Sequence, residues 1–116
     1  MIKFKRGVIK VMNSGLNVED ILEILRKHKK ELEEKYAVKK IGVFGSFAKG
    51  SFSNESDVDF YVEFNMEELT FDKFIALSEF LEKLTRRKVD IITQGGLKTI
   101  RIPYIKENIE RNIIYA

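Results

Sequence analysis

The chain has 116 residues, 44% hydrophobic and 34% charged, with 21 Lys and Arg against 18 Asp and Glu for a net charge of +3. That length suits one small domain with its own core and leaves no room for a separate substrate domain. Having no cysteine and a single histidine, the chain excludes disulfides, thiolate nucleophiles and sulfur-ligated zinc, and it lacks the run of roughly 18 apolar residues that a membrane span needs.

Residues 1–16, MIKFKRGVIKVMNSGL, alternate basic and apolar residues without the apolar core of a signal peptide. Two expectations stand for them. They form an N-terminal arm that adds to a sheet edge, or the native start is Met12, because Gly7–Ile9 can be encoded by bases resembling a ribosome-binding site. The folded domain is expected over 17–116.

Asn17 is an N-cap with Asp20 in the first turn, and Val18, Ile21, Leu22, Leu25, Leu32 and Tyr36 recur at helical spacing. The charged run around His28 makes that histidine a surface residue of one helix reaching Tyr36. VKKIGVF predicts a short buried strand closed by Gly45 and Ser46, and DVDFYVEF a second strand with clean alternation. Thr70 caps a helix whose Phe71, Phe74, Ile75, Leu77, Leu81 and Leu84 form a core face. RRKVDIIT is a third strand, with QGG as a turn after it. Pro103 suits the first turn of a last helix carrying Ile105, Ile109 and Ile113 on one side. The order α, β, β, α, β, α predicts an α/β domain with a mixed sheet of three to four strands covered by helices.

Period-two alternation sends Val58, Phe60, Val62 and Phe64 to one face of the second strand and leaves Asp57 and Asp59 together on the other. Two ionised carboxylates so placed repel unless protons, basic groups or a cation neutralise them. A solvated strand edge is the plain structural use of such acids. Oxygen ligation without His or Cys selects a hard cation, magnesium first and manganese second. The Gly45-Ser46 turn favours phosphate: glycine lets a ligand approach the backbone, and a short helix from SFAKG would add free amides, the Ser46 hydroxyl and the Lys49 ammonium. Asp90 sits among Val89, Ile91 and Ile92, where an isolated acid is expensive to bury and calls for a cation or hydrogen-bond partners. Beside the second strand it would complete a three-carboxylate cluster able to hold two divalent ions for phosphoryl or nucleotidyl transfer.

These residues resemble the minimal nucleotidyltransferases of the polymerase-β-like superfamily, whose pattern is Gly-Ser, a spacer, Asp-x-Asp and a later Asp on another strand. Here ten residues, Phe47–Ser56, separate Gly45-Ser46 from Asp57-Val58-Asp59. That spacing, and GSFAKG at the turn, are similar to the MNT-type antitoxins of HEPN/MNT toxin–antitoxin systems. Those commonly carry Arg where this chain has Lys49, so charge is kept and bidentate phosphate contact is not. The resemblance, which runs from about Val18 to Ala116, implies a polymerase-β-like fold with the active site on an open sheet face. It implies that Gly45, Ser46 and Lys49 hold nucleotide phosphates, that Asp57 and Asp59 are catalytic metal ligands, and that Asp90 binds the second ion or helps deprotonate the acceptor.

The absence of cysteine makes a reducing cytoplasm the natural compartment, and the resemblance further implies a protein adenylyltransferase of a type VII toxin–antitoxin pair. It would move AMP from ATP, with two Mg2+ ions (or Mn2+), to a tyrosine of a HEPN-type toxin and so neutralise it. Two readings compete. One is a non-catalytic antitoxin that covers its toxin, and the other an enzyme with a small-molecule acceptor, for which the chain has little enclosing structure. No membrane partner is expected. Extension of a nucleic acid is not expected either, since no basic and aromatic strip for single strands is visible.

Overall fold

The computed structural model describes residues 16–116. Residues 1–15, with Met12 and the question of the native start, lie outside the described residues. Leu16, the end of the expected arm, packs half-buried against the core, so packing reaches at least that far.

The Asn17 side chain accepts from the Asp20 N–H at 3.0 Å while the Asp20 carboxylate accepts from the Asn17 N–H at 3.1 Å. Such a capping box stabilises a helix start by about 1 kcal/mol. The helix it starts is shorter than expected. It divides at His28 into α1 (Val18–Lys27) and α2 (Lys29–Tyr36). Ile21, Leu22 and Leu25 are buried, but Arg26 to Glu31 are all charged apart from His28, so no apolar side chain holds one continuous axis until Leu32. His28 is half-buried: Nδ1 donates to the Ile24 carbonyl at 2.8 Å, and its ring meets Phe80 edge-on at 5.6 Å.

The chain continues as β1 (Val38–Phe44), α3 (Gly45–Lys49), β2 (Val58–Phe64), α4 (Phe71–Thr85), β3 (Val89–Thr93), α5 (Gln94–Lys98), α6 (Pro103–Asn112) and β4 (Ile114–Tyr115). The four strands stand in the order β3, β2, β1, β4, with β2 and β3 parallel and the other pairs antiparallel. This is the mixed sheet expected, with a two-residue C-terminal edge strand that the sequence pattern did not reveal. Gly42 permits that strand's approach, because a Cβ there would lie 2.6 Å from Ile113 Cγ2.

Val58, Phe60 and Val62 are fully buried, with Phe64 at 2% exposure, and they pack with Ile21, Leu22, Leu25, Leu77 and Leu81 into one core. Filling such positions with apolar groups stabilises the fold by about 1.5–3 kcal/mol each. Thr70 caps α4 as expected, accepting from the Lys73 N–H at 3.1 Å. Phe71 and Ile75, however, are 77% and 41% exposed. At 3.6 residues per turn both lie about 120° or more around α4 from Leu77, beyond the arc that the sheet covers. The expected QGG turn is instead the short helix α5, capped by the Thr93 hydroxyl, which accepts from the Gly96 N–H at 2.9 Å. Both its glycines keep ordinary negative φ, so once capped they continue the helix. Among the described residues no helix is long and apolar enough to cross a membrane.

Candidate active site

Alternation along β2 places Asp57 and Asp59 on the sheet face opposite the core, and the register brings two neighbours level with Asp59. Phe44, at the end of β1, pairs with it on one side and Asp90 of β3 on the other. Asp59 is half-buried between them, with Asp57 and Asp90 exposed. The exposure of Asp90 differs from the buried acid expected. Val89 and Ile91 share its strand, but Ile91 packs toward the core while Asp90, one residue out of phase, looks onto the open face.

Burial pushes the Asp59 pKa up first, and the charges of Asp90 and Asp57 push it further. Asp59 therefore feels both of its acidic neighbours. Among the described residues none of the three carboxylates accepts a hydrogen bond or joins an ion pair; the ion pairs present are Lys35–Glu31 and Arg111–Glu107, both on outer helix faces.

Gly45, the first residue of α3, has φ +72°, a conformation that favours glycine, and a Cβ on it would overlap the Asp59 carboxylate. No other residue type fits both constraints. The Gly45-Ser46 turn is thus pressed directly against the acidic strand, and α3 packs on β1, β2 and α6. Ser46 is half-buried in the same first turn. Lys49 is exposed at the far end of α3, just before Gly50 at φ +77° closes the helix. The structure thus brings Gly45, Asp59 and Asp90 together, with Ser46 and Asp57 adjacent in the chain, and leaves Lys49 exposed at the far end of α3.

The residues present fit a divalent cation of the hard class: oxygen donors alone, carboxylates that crowd one another, and no described cation to neutralise them. Among the described residues no three His, Cys, Asp or Glu side chains close into a ready-made metal cage. Part of any coordination shell falls to phosphate oxygens and water, the habit of magnesium.

Two neighbours of the site were not singled out by the sequence. Tyr61 follows Asp59 on the open face yet is 5% exposed, donating to Glu63 at 2.9 Å, and burial together with that bond raises its pKa. Arg87 sits in the turn before β3 and donates to carbonyls of the loop preceding Asp57. The basic pair Arg86-Arg87 before an acidic strand was the available cue, but which loop it meets is decided by tertiary structure.

The comparisons with known proteins bear on this arrangement. A family model described as a nucleotidyltransferase domain matches residues 25–116. The chain belongs to the nucleotidyltransferase domain family. Among relatives, an inferred protein adenylyltransferase of Methanocaldococcus jannaschii is 48% identical over 85% of this chain and 97% of its own length. The protein adenylyltransferase MntA of Thermococcus cleftensis is 42% identical over 87% of this chain and 97% of its own length. Among solved structures, an inferred minimal nucleotidyltransferase aligns with a TM-score of 0.66 and 30% identity, over 87% of this chain and 97% of that one. A toxin–antitoxin crystallised with AMP-PNP shares the fold with a TM-score of 0.56 and 20% identity, over 86% of this chain and 72% of that one. The fold is that of the minimal nucleotidyltransferases, and this nucleotidyltransferase has the enzyme class expected from the sequence, that of its named adenylyltransferase relatives.

Proposed function

We propose that this nucleotidyltransferase, in its domain from residue 17 to 116, transfers AMP from ATP to a tyrosine hydroxyl of a HEPN-type toxin in the cytoplasm and thereby acts as its antitoxin. The observation that carries the reading is the row Asp90–Asp59 with Asp57 beside it, three carboxylates without partners among the described residues, set against a glycine whose Cβ would strike one of them. The names of the relatives, and the toxin–antitoxin that shares the fold, support the acceptor class.

In this reading Asp57, Asp59 and Asp90 hold two Mg2+ ions, or Mn2+. Such ions, when bound, polarise the α-phosphate and neutralise charge that develops on attack and departure. Gly45 and Ser46 present backbone amides and a hydroxyl to the triphosphate, and Lys49 contributes charge from the rim. The tyrosine oxygen attacks the α-phosphorus, the bond to the bridging oxygen breaks, and pyrophosphate leaves with the electron pair. Asp90, exposed at the end of that row, shares the second ion or helps take up the hydroxyl proton. The open face excludes little water by itself, so the acceptor protein must complete the enclosure, which fits a macromolecular acceptor better than a small one.

Purified protein incubated with α-labelled ATP, Mg2+ and a HEPN-type toxin tests this. The expected result is a phosphodiester-linked AMP on a toxin tyrosine, located by mass spectrometry, together with loss of toxin activity. Label on a small hydroxylated compound but on no protein would overturn the acceptor. Full toxin neutralisation by an Asp57→Ala/Asp59→Ala double variant would overturn catalysis in favour of covering the toxin.

A further inference from the structure

We propose that Arg87 is a positioning residue of the transfer site, clamping the loop that joins the phosphate seat to Asp57. The role presupposes the reading of that site as a nucleotidyl-transfer centre. Between α3 and β2 the chain runs from Gly50 to Asp57 without regular structure. A loop of that kind ordinarily leaves its ends free to shift. Here three of its carbonyls, Ser53, Asn54 and Ser56, accept from the single Nη1 of Arg87 at 3.0, 3.3 and 2.8 Å. One guanidinium nitrogen with two hydrogens gathers three inward-turned carbonyls, the last belonging to the residue immediately before Asp57.

The same guanidinium lies 4.9 Å from the ring centroid of Phe47, in the helix that follows Gly45. Phe47 in turn stacks on Phe52 of the loop with centroids 4.2 Å apart. Arg87 thus touches both sides of the gap: the phosphate-seat helix through its face, the approach to Asp57 through its edge. Its own position is set by Arg86, whose φ of +57° turns the chain out of α4, and by the Val58 N–H, which donates to the Lys88 carbonyl at 2.9 Å. The turn that carries Arg87 is therefore bonded to the first residue of β2. Fixing Asp57 relative to the phosphates is a requirement of the chemistry, since misplacement by about 1 Å can lower a rate about a hundredfold. A planar five-donor group can hold several carbonyls at once, which an ammonium does less well.

Arg87→Met keeps most of the aliphatic stem against Phe47 and removes the donors. At a temperature well below its melting point, kcat is expected to fall at least about tenfold and half-saturating Mg2+ to rise, with KM for ATP changing less than about twofold. Arg87→Lys should recover part of the loss. Unchanged kcat and Mg2+ requirement in Arg87→Met overturn the proposal. So does a loss that vanishes when each protein is assayed equally far below its own melting temperature.

A second measurement needs neither nucleotide nor acceptor. The Ser51, Ser53 and Ser56 N–H groups are hydrogen-bonded in the loop, to the Ser46 carbonyl, the Ser56 hydroxyl and the Ser53 carbonyl. Their amide exchange should accelerate about tenfold or more in Arg87→Met while amides of β1 keep their protection. Equal exchange in both proteins would refute the clamp. Faster exchange would uphold it even if the wild-type protein modified no tyrosine, a result that counts against the acceptor and not against Arg87.

Discussion

The two ends of β2 treat their polar groups in opposite ways. At the far end everything is answered within the chain. Glu63 accepts from Tyr61 at 2.9 Å, and the Gln94 side chain mimics a strand by donating to the Phe64 carbonyl and accepting from the Phe64 N–H, both at 3.1 Å. The next amide, Asn65, donates to the Ala37 carbonyl at 2.8 Å. At the near end Asp57 and Asp59 face Asp90, and among the described residues no donor reaches any of them. A fold that satisfies one end so thoroughly has the means to satisfy the other, so the open row is best understood as a demand for a ligand from outside. Partners made within the chain stabilise; partners left out prepare a site.

The sharpest way to break this contrast is to remove the demand. Asp57→Asn and Asp59→Asn should each lower adenylyl transfer by about a thousandfold or more, since ion-mediated charge stabilisation is worth several kcal/mol and each 1.36 kcal/mol is about tenfold. Rates from labelled ATP on a toxin acceptor check it. A loss under about tenfold in both would return the pair to the status of solvated strand charge.

Next in size is the contact that joins the two halves of the site. Gly45→Ala places a methyl group in the Asp59 carboxylate at a backbone conformation disfavoured for alanine. It should destabilise the protein by about 1–3 kcal/mol and, because the seat must move, raise KM for ATP as well. Urea denaturation paired with initial rates separates the effects, and a stability change with unaltered kinetics would show that the seat tolerates displacement.

Much of the near end was legible in the sequence because it depends on local rules. Alternation alone puts Asp57 and Asp59 on one face, and a glycine-serine turn ten residues upstream is a short-range signal. The adjacency of Asp59 and Asp90 was conditional, since pairing of β2 with β3 joins residues from distant parts of the chain and only the folded register supplies it. The exposure of Phe71 was hidden for a related reason, the division at His28 and the helix at Gln94 for more local ones. Apolar spacing says which residues could be buried, whereas the arc of α4 that meets the sheet and the two bonds that Gln94 makes to Phe64 are settled by neighbours remote in sequence; the Thr93 cap on Gly96 and the apolar gap around His28 are local features that apolar spacing passed over. Arg87 belongs with the remote cases, as a charge whose partners are three carbonyls more than thirty residues away.

The far end can be tested by the opposite outcome. Gln94→Ala strips two hydrogen bonds from the Phe64 main chain and should lower stability by about 1–2 kcal/mol, while kcat and KM for ATP stay unchanged well below the melting temperature. A loss of activity beyond the shift in folded fraction would mean that the two ends are coupled through β2, and the contrast between them would have to be redrawn.

The smallest effect concerns Asp59 in the metal-free protein. Its folded pKa is raised, chiefly by burial and then by Asp90 and Asp57, so the folded state favours the neutral acid more than the unfolded state does. Below about pH 4 the group is protonated in both states and carries no penalty. As pH rises through the ordinary carboxylate value and past the raised one, ionisation in the crowded row costs stability that the unfolded chain does not lose. Chemical denaturation in EDTA across pH 4–7 should therefore show a fall with rising pH that Asp59→Asn lacks. The fall is modest because Asp59 is only half-buried and salt screens its neighbours. Adding Mg2+ at the upper end of the range should restore the wild-type protein and leave Asp59→Asn nearly unaffected. Equal pH slopes in the two proteins would mean that the row is not electrostatically crowded, and the unanswered end of β2 would lose its claim to be waiting for a cation.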